Sequence, residues 1–155
     1  MGCSRSLTIK PSELDEVFLL APHLRQADRE EVEAAGGTSI TALADGVLFS
    51  EECYSVYAEG KIIGMFGIFS QGMPKGLKTV WFLGSDESEN YPFAFVREGK
   101  RLINKVLKDS SVLNTVYSKN ETHIKYLERI GLVVDKENPI TYNNHIFYRF
   151  YKLRN

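Results

Sequence analysis

The sequence has few cysteines and no long apolar run. Its two cysteines, Cys3 and Cys53, show neither a zinc-ligand spacing nor the framework of a secreted, disulfide-rich domain. No run approaches the roughly 18 apolar residues that span a membrane, and residues 1–10 lack the apolar segment of a signal peptide. We therefore expect a cytoplasmic protein with reduced thiols, no bound metal and no membrane span.

An excess of either charge is also absent. The chain carries 19 Lys and Arg against 20 Asp and Glu, a formal net charge of −1. Domains that bind nucleic acid usually present a basic face, so no nucleic-acid partner is expected. Cations do cluster from Arg97 to Lys108, either as a solvated helix face or as a basic rim near an anionic ligand. The 155 residues contain no repeat or linker and fit one domain, 1–155, that is large enough to bury a core.

What the sequence does contain is an alternation of strand and helix patterns. Apolar periodicity and turn residues define the elements. The first part contains a strand at 7–10, a helix that starts within 11–15 and ends before Pro22, a helix at 24–35 and a weak helical turn at 38–44. Three strands follow, at 53–58, 62–69 and 78–84. The last part contains a helix at 92–109, a strand at 113–117, a helix at 121–130 and a terminal hairpin whose strands start at 132 and 145. This order predicts an α/β (α+β) domain with a mixed central sheet flanked by helices, with 62–69 antiparallel and 113–117 parallel to 78–84.

The most specific stretch runs from Asn120 to Leu132. Asn120 can cap a helix whose apolar residues recur at helical spacing, and Gly131 can end it. Together with the strand before it and the hairpin after it, this block resembles the GNAT superfamily of acetyl-CoA-dependent N-acyltransferases. The resemblance implies the GNAT fold, acyl transfer to an amine of a small molecule or protein, and acetyl-CoA as cofactor.

The second half of the chain, from Trp81 onward, is also similar to small GNAT-like proteins of T7-like podoviruses, which are internal virion proteins. The similarity rests on Trp81-Phe82 followed by Ser85-Asp86, on a long basic helix, and on the block that begins at Asn120. It implies a phage-encoded chain in the host cytoplasm. It keeps open a role without catalysis in virion assembly or DNA ejection, with virion proteins as partners.

The GNAT resemblance also implies a cofactor site. It assigns the pantetheine contact to the backbone of Leu83, Gly84 and Ser85, which could otherwise simply end a strand. It assigns the diphosphate contact to the helix start at Phe93, Ala94 and Phe95, with Asn120 as a further cofactor residue. The loop at 86–92 departs from the family pattern Gln/Arg-x-x-Gly-x-Gly/Ala, because it has no glycine and carries three carboxylates. Like charges repel a diphosphate, so we expect weak cofactor binding.

Acyl transfer needs a base and an acid, and the resemblance suggests candidates for both. Asp86 and Glu87 are candidate bases, although acidic residues at a helix start also stabilise the helix without catalysis. Tyr126 is the candidate acid for the thiolate. Alignment on the closing glycine places Leu127 at the tyrosine position of the family, one residue or about 100° around the helix from Tyr126. His123 could act instead of Tyr126, or lie at the surface.

Overall fold

The computed structural model describes residues 7–155. These residues form a seven-stranded mixed sheet flanked by α-helices, which confirms the expected fold class. Cys3 lies outside the described residues. The elements are β1 (Thr8–Pro11), α1 (Glu16–Leu20), α2 (Gln26–Ala34), α3 (Ser39–Phe49), β2 (Glu52–Ala58), β3 (Lys61–Phe69), β4 (Leu77–Gly84), α4 (Pro92–Val106), β5 (Ser111–Tyr117), α5 (Glu121–Arg129), β6 (Val133–Tyr142) and β7 (His145–Lys152), with 3₁₀ turns at Ala21–His23 and Asp86–Asn90.

The strands are ordered β1-β2-β3-β4-β5-β7-β6 across the sheet. The pair β3–β4 is antiparallel and the pair β4–β5 is parallel, as predicted. All other neighbouring pairs are antiparallel. Long crossovers are needed only for parallel neighbours, which is why α4 lies between β4 and β5 in the chain.

The parallel pair β4–β5 is joined at one end only. Leu77 pairs with Ser111 and Lys78 with Val112, and the ladder stops there. The Asn114 side chain then bridges the widening gap, its Nδ2 donating to the Val80 carbonyl at 2.9 Å. From this point the carboxyl ends of the two strands are separate, so the sheet opens beside Phe82 and Gly84.

Helices cover both faces of the sheet. Helices α1 to α3 pack on one face, around Val17, Leu20 and Leu43. Helices α4 and α5 pack on the other, with Ile103 and Leu127 in the core. Leu83, Val106, Ile124 and Leu127 are buried. Trp81 and Leu102 are only half-buried, and the Trp81 indole N–H donates to Ser50 Oγ at 2.9 Å.

The start of α1 differs from the prediction. The helix starts after the predicted range 11–15, because the Ser12 N–H donates to the Cys53 carbonyl and the Ser12 hydroxyl bonds Ser55 Oγ at 2.8 Å. The chain therefore continues the edge pairing of β1 through Ser12, and α1 begins only at Glu16, without a side-chain cap.

Helix α3 is longer than the weak turn expected at 38–44. Thr38 caps it by accepting from the Thr41 N–H, and the Thr41 hydroxyl accepts from the Thr38 N–H in return. Such a reciprocal cap usually has Glu or Gln at its third position, so threonine gave a weak signal. Gly131 ends α5 with a φ of 99°, the left-handed backbone expected there. None of the described helices has the length and apolar character to cross a bilayer.

Candidate functional site

A solvent-open groove lies between the start of α4 and the outer side of α5, beside the end of β4. Its volume is about 380 Å³. Three cations line it, Arg25, Lys125 and Arg129, together with three aromatic side chains, Phe82, Phe95 and Tyr126. The cations come from two separate parts of the chain, which the opening of the sheet brings together. Two carboxylates, Glu89 and Glu121, line it as well. A lining with more cations than carboxylates and with aromatic side chains suits an anionic ligand that also has apolar parts.

The amino-terminal end of α4 opens at this groove without a side-chain cap. Pro92 is the first helical residue and has no N–H, while the Phe95 N–H donates to the Tyr91 carbonyl. The N–H groups of Phe93 and Ala94 therefore have no acceptor within the helix. Such a helix end, with its positive dipole, favours an anion.

Arg25 is held in place by a buried ion pair. Its guanidinium donates to Asp28 Oδ2 from Nη2 at 2.8 Å and from Nε at 3.2 Å, and both side chains are almost fully buried. The guanidinium carbon lies 5.6 Å from the centre of the Phe82 ring. Its Nη1 reaches Glu89 at 3.6 Å, and that carboxylate is half exposed at the groove. The ion pair with Asp28 thus fixes the position of Arg25, and Glu89 is the exposed partner that an anionic ligand would displace.

The end of β4 is more fully bonded than the sequence suggested. Successive strand residues turn their N–H and C=O groups to alternate sides, and the Ser85 N–H points to β3, where it donates to the Ile63 carbonyl. Leu83 is paired with Met65 in the same ladder. Gly84 faces the opening, but its N–H donates to Asp28 Oδ2 at 2.9 Å and its C=O accepts from the Arg25 N–H at 2.9 Å.

By the same alternation, the backbone of Phe82 also faces the opening between β4 and β5. The partner strand has already separated at this level, because the β4–β5 ladder ends at Lys78. Phe82 is therefore the residue of this strand end that presents its backbone to the gap, one position before the predicted Leu83 to Ser85 segment. Its ring packs edge-on against Phe95, with the centroids 5.1 Å apart.

Asn120 is buried and ties three elements together. Its Oδ1 accepts from the His123 N–H, which caps α5 as predicted. Its Nδ2 donates to Asp28 Oδ1 and to Glu31 Oε1, both at 3.1 Å. Burial and then the charge of Asp28 raise the pKa of Glu31 to about 7. Both polar groups of the Asn120 side chain are thus used inside the protein.

Tyr126 joins α5 to α4. Its hydroxyl donates to the Phe95 carbonyl at 2.8 Å. Burial raises the pKa of Tyr126 well above its usual range, so the hydroxyl keeps its proton at neutral pH. The helices come this close because residue 99 is glycine: a side chain there would collide with the Tyr126 hydroxyl and with Ile130.

His123 is buried rather than exposed. Its ring lies parallel to that of Phe82, with 4° between the planes. Burial lowers the pKa of His123 to about 4, so the imidazole is neutral at pH 7. Its Nδ1 has no hydrogen-bond partner among the described residues, and His123 is among the residues that line an apolar cavity of about 30 Å³. The residue faces the core of the α4–α5 side.

The three carboxylates of the loop before α4 have different surroundings. Glu87 forms an ion pair with Lys61, and Asp86 is exposed. Only Glu89 lines the groove, where it meets Arg25. Of the predicted catalytic residues, the structure therefore places Tyr126 at the groove and leaves Asp86 and Glu87 outside its lining.

The groove also contains residues that the sequence reasoning missed. Lys125 and Arg129 are exposed and stand four positions apart on α5, so helical spacing could have identified them as one cationic face. Arg25 and Phe82 gave no such signal, because the fold alone brings them together. Within residues 7–155, no group of three or more His, Cys, Asp or Glu side chains is arranged to hold a metal ion.

No protein-family description and no curated protein matches the sequence significantly. Several solved structures nevertheless match the fold over nearly the whole chain. A GNAT-family acetyltransferase from Streptococcus pneumoniae has 15% identity and a TM-score of 0.61, with 97% of this chain and 100% of that chain covered. One from Bacillus anthracis has 14% identity and a TM-score of 0.67, with 97% and 96% covered.

A third match is a structure of AAC(6')-Ib in complex with ribostamycin and coenzyme A. It shares 15% identity with this chain and has a TM-score of 0.68, with 96% of this chain and 94% of that chain covered. At such identities the likeness concerns the fold and not the activity. The strand order, the one-ended β4–β5 pair and these matches together show that the chain has the fold of the GNAT acetyltransferases.

Proposed function

We propose that the protein is an acyl-CoA-dependent N-acyltransferase with acetyl-CoA as donor and an amine as acceptor. The observation that carries the proposal is the groove itself. It combines an opened parallel strand pair, an uncapped helix start and three cations in one place. The GNAT fold of the chain, and the coenzyme A in the complex of a structure with that fold, support the same conclusion.

The groove, together with the start of α4 beside it, fits the parts of coenzyme A. The N–H groups of Phe93 and Ala94 would hold the diphosphate, with Arg25, Lys125 and Arg129 supplying positive charge. The Phe82 backbone would pair with the pantetheine amides in the gap that β5 leaves open. The predicted contact to Gly84 would have to replace its bonds to Asp28 and Arg25.

The chain also supplies groups for the proton transfers of acyl transfer. When bound, acetyl-CoA supplies the activated acyl group and a thiolate leaving group. Tyr126 lines the groove with its proton retained, and we assign it the role of acid, which requires its hydroxyl to leave the Phe95 carbonyl. Asp86 is exposed, whereas Glu87 is paired with Lys61. Asp86 is therefore the candidate base that no ion pair occupies among the described residues, and because it lies outside the groove lining it would act through water.

Calorimetric titration with acetyl-CoA tests the proposal, and two glutamates provide a matched pair of variants. Glu89→Gln should tighten binding by about threefold to tenfold at low salt, because it removes the carboxylate that competes with the diphosphate for Arg25. Glu87→Gln should leave affinity unchanged, because Glu87 pairs with Lys61 outside the groove lining. Raising the salt should shrink the Glu89 effect.

Absence of binding heat at millimolar acetyl-CoA, in the wild type and in both variants, would overturn the proposal. It would favour the alternative of a GNAT-fold protein without catalysis. The phage origin and the virion role implied by the sequence resemblance stay predictions. If binding is found, Tyr126→Phe and Asp86→Asn should each lower turnover on a panel of amines by about a hundredfold or more. Either variant with undiminished turnover would remove its residue from the mechanism.

A further inference from the structure

The apolar cavity that His123 lines lies between the sheet and the helices α4 and α5. Its volume is about 30 Å³. Three of its lining side chains carry polar atoms and face α4, α5 or the sheet: Glu98, His123 and Tyr126. All the other lining residues are aliphatic or aromatic side chains or glycine. A space with this lining suits a hydrocarbon group rather than a charged one.

The apolar cavity adjoins the groove proposed for coenzyme A. Phe82, Phe95 and Tyr126 line both spaces. The centroid of the Phe82 ring lies 5.1 Å from that of Phe95 and 5.9 Å from that of Tyr126. The Tyr126 hydroxyl holds this wall together by donating to the Phe95 carbonyl. The acid role proposed for Tyr126 requires the hydroxyl to leave that carbonyl, and the same change would loosen the wall between groove and cavity.

The order of groups along β4 places the cavity at the acyl end of the donor. The start of α4, proposed for the diphosphate, follows the end of β4, and the Phe82 backbone is proposed for the pantetheine. Two residues further back along β4, the carbonyl of Val80 faces the same gap, which the Asn114 side chain closes there. Val80 is buried and lines the cavity. Because the acyl group follows the pantetheine, it would lie beside Val80 and the cavity.

Water is a poor occupant of this cavity. A buried water usually makes about two to four hydrogen bonds to polar groups. The Tyr126 hydroxyl already donates to the Phe95 carbonyl, and the Glu98 carboxylate pairs with Arg101 at 2.9 Å. His123 Nδ1 lacks a partner among the described residues. One unused nitrogen holds a water weakly in apolar surroundings, whereas methyl and methylene groups are favoured there.

The size of the cavity limits the length of the acyl chain. One water-sized group needs about 10–15 Å³ of such a cavity, so 30 Å³ accepts about two or three groups. At its other end the cavity meets an open surface depression, and Ile9, Phe66, Glu98 and Leu102 line both. A longer chain would leave the cavity at this end and return to water. Carbons beyond about the fourth or fifth therefore add little to the buried apolar area.

We propose that the preferred donor carries a short hydrocarbon acyl group of about four carbons, and that the apolar cavity binds its chain. This inference rests on the proposed function, because it needs coenzyme A in the groove. It narrows the acyl group of the donor: acetyl-CoA binds the same groove but leaves the cavity empty. Val80, Leu102 and Ile103, which line the cavity and not the groove, would contact the chain.

Calorimetric titration with acetyl-CoA, butyryl-CoA and octanoyl-CoA tests the inference. The two added methylenes of butyryl-CoA should tighten binding about tenfold, since each buried methylene contributes a factor of about four. Octanoyl-CoA should bind no more tightly than butyryl-CoA. Leu102→Phe should fill the cavity and remove the preference for butyryl-CoA. It should leave acetyl-CoA affinity unchanged, because Leu102 lies outside the groove lining. Val80→Ile is a smaller filling variant that serves if Leu102→Phe does not fold.

Leu153→Phe is the matched control, because it makes the same replacement at a side chain that is 73% exposed and lies beyond β7. It should keep the tenfold preference. Equal affinity for acetyl-CoA and butyryl-CoA, or a preference that survives both filling variants, would overturn the inference and leave the proposed function standing. Tighter binding of octanoyl-CoA than of butyryl-CoA would overturn it too, by showing that the cavity does not limit the chain. Absence of binding by all three esters would overturn the inference together with the proposed function.

Discussion

The two sides of the sheet use their apolar residues differently. On the α4–α5 side, the Tyr126–Phe95 hydrogen bond connects α4 and α5, and the glycine at 99 allows their close approach. Ile103, Ile124 and Leu127 are buried there. On the α1–α3 side, large apolar side chains such as Phe18 and Leu48 remain more than half exposed. Packing therefore limits substitution on the first side, whereas on the second side much of the apolar surface is free for a function other than stability.

The charges divide in the same way. The α4–α5 side carries two of the three groove cations, Lys125 and Arg129, and the cations of the outer face of α4, while the sequence segment of α1 to α3 has more carboxylates than cations. A net charge of −1 conceals this separation. The overall charge of a chain thus says little about which ligands its individual surfaces accept.

The sharpest test of this contrast compares a leucine from each side. Leu127→Ala should lower the free energy of unfolding by about 2–5 kcal/mol, because Leu127 is 3% exposed and its loss leaves a cavity. Leu48→Ala should change it by less than about 0.5 kcal/mol, because that side chain is 58% exposed. Urea denaturation of the two variants measures both values. A loss below about 1 kcal/mol for Leu127→Ala would mean that the two sides do not differ in packing.

A second test concerns the contact between α4 and α5. Gly99→Ala should destabilise the protein by about 1–3 kcal/mol, because the added methyl group meets the Tyr126 hydroxyl and Ile130 Cγ2, the latter at 2.9 Å. Tyr126→Phe alone should cost about 1 kcal/mol for the lost hydrogen bond. In the double variant the hydroxyl no longer opposes the methyl group, so the combined loss should be smaller than the sum. Additive losses would show that the two residues do not meet.

The order of elements was readable from the sequence because it depends on local signals. Apolar periodicity, Gly131 and the Asn143-Asn144 turn fixed elements whose bounds shift by only a few residues. Burial of the apolar residues Ile124 and Leu127 of α5 followed from the same spacing, whereas burial of His123 did not. The length of helix α3 was underestimated because both residues of its reciprocal cap are threonines. The start of α1 was predicted too early because Pro11 and Ser12 still pair with β2.

The site was predicted less well, because it depends on contacts between distant parts of the chain. Gly84 and Asp28 are 56 residues apart, and no local pattern shows that one bonds the other. Likewise, Arg25 and Glu89 meet only after the sheet has formed. The sequence pattern predicted three carboxylates that repel the cofactor, whereas in the fold only Glu89 lines the groove and Glu87 pairs with Lys61.

Glu31 offers the smallest expected effect and tests the connection between the two sides. It lies on α2, and its Oε1 accepts from the Tyr117 N–H of β5 and from Asn120 Nδ2 before α5. Its pKa is raised from 4.5 to about 7 in the folded protein by burial and by Asp28. The folded state therefore keeps this proton at pH values where the unfolded chain has lost it. The Glu31 contribution to stability is complete below about pH 4.5 and is lost as the pH rises to about 7.

Glu31→Gln removes this titration while keeping a side-chain oxygen for the Tyr117 N–H. Relative to the wild type, the variant should gain about 1–2 kcal/mol of unfolding free energy between pH 4.5 and pH 8, which is less than the full pKa shift implies because Glu31 is partly exposed.

His123 acts in the opposite direction, since its lowered pKa of about 4 makes stability fall as the pH drops below about 6.5. Its effect cancels in the difference between variant and wild type. Glu30→Gln, exposed on the same helix, should show no such gain in urea denaturation across this range. If the difference in unfolding free energy between Glu31→Gln and the wild type stays constant with pH, the pKa of Glu31 is not raised in the folded protein.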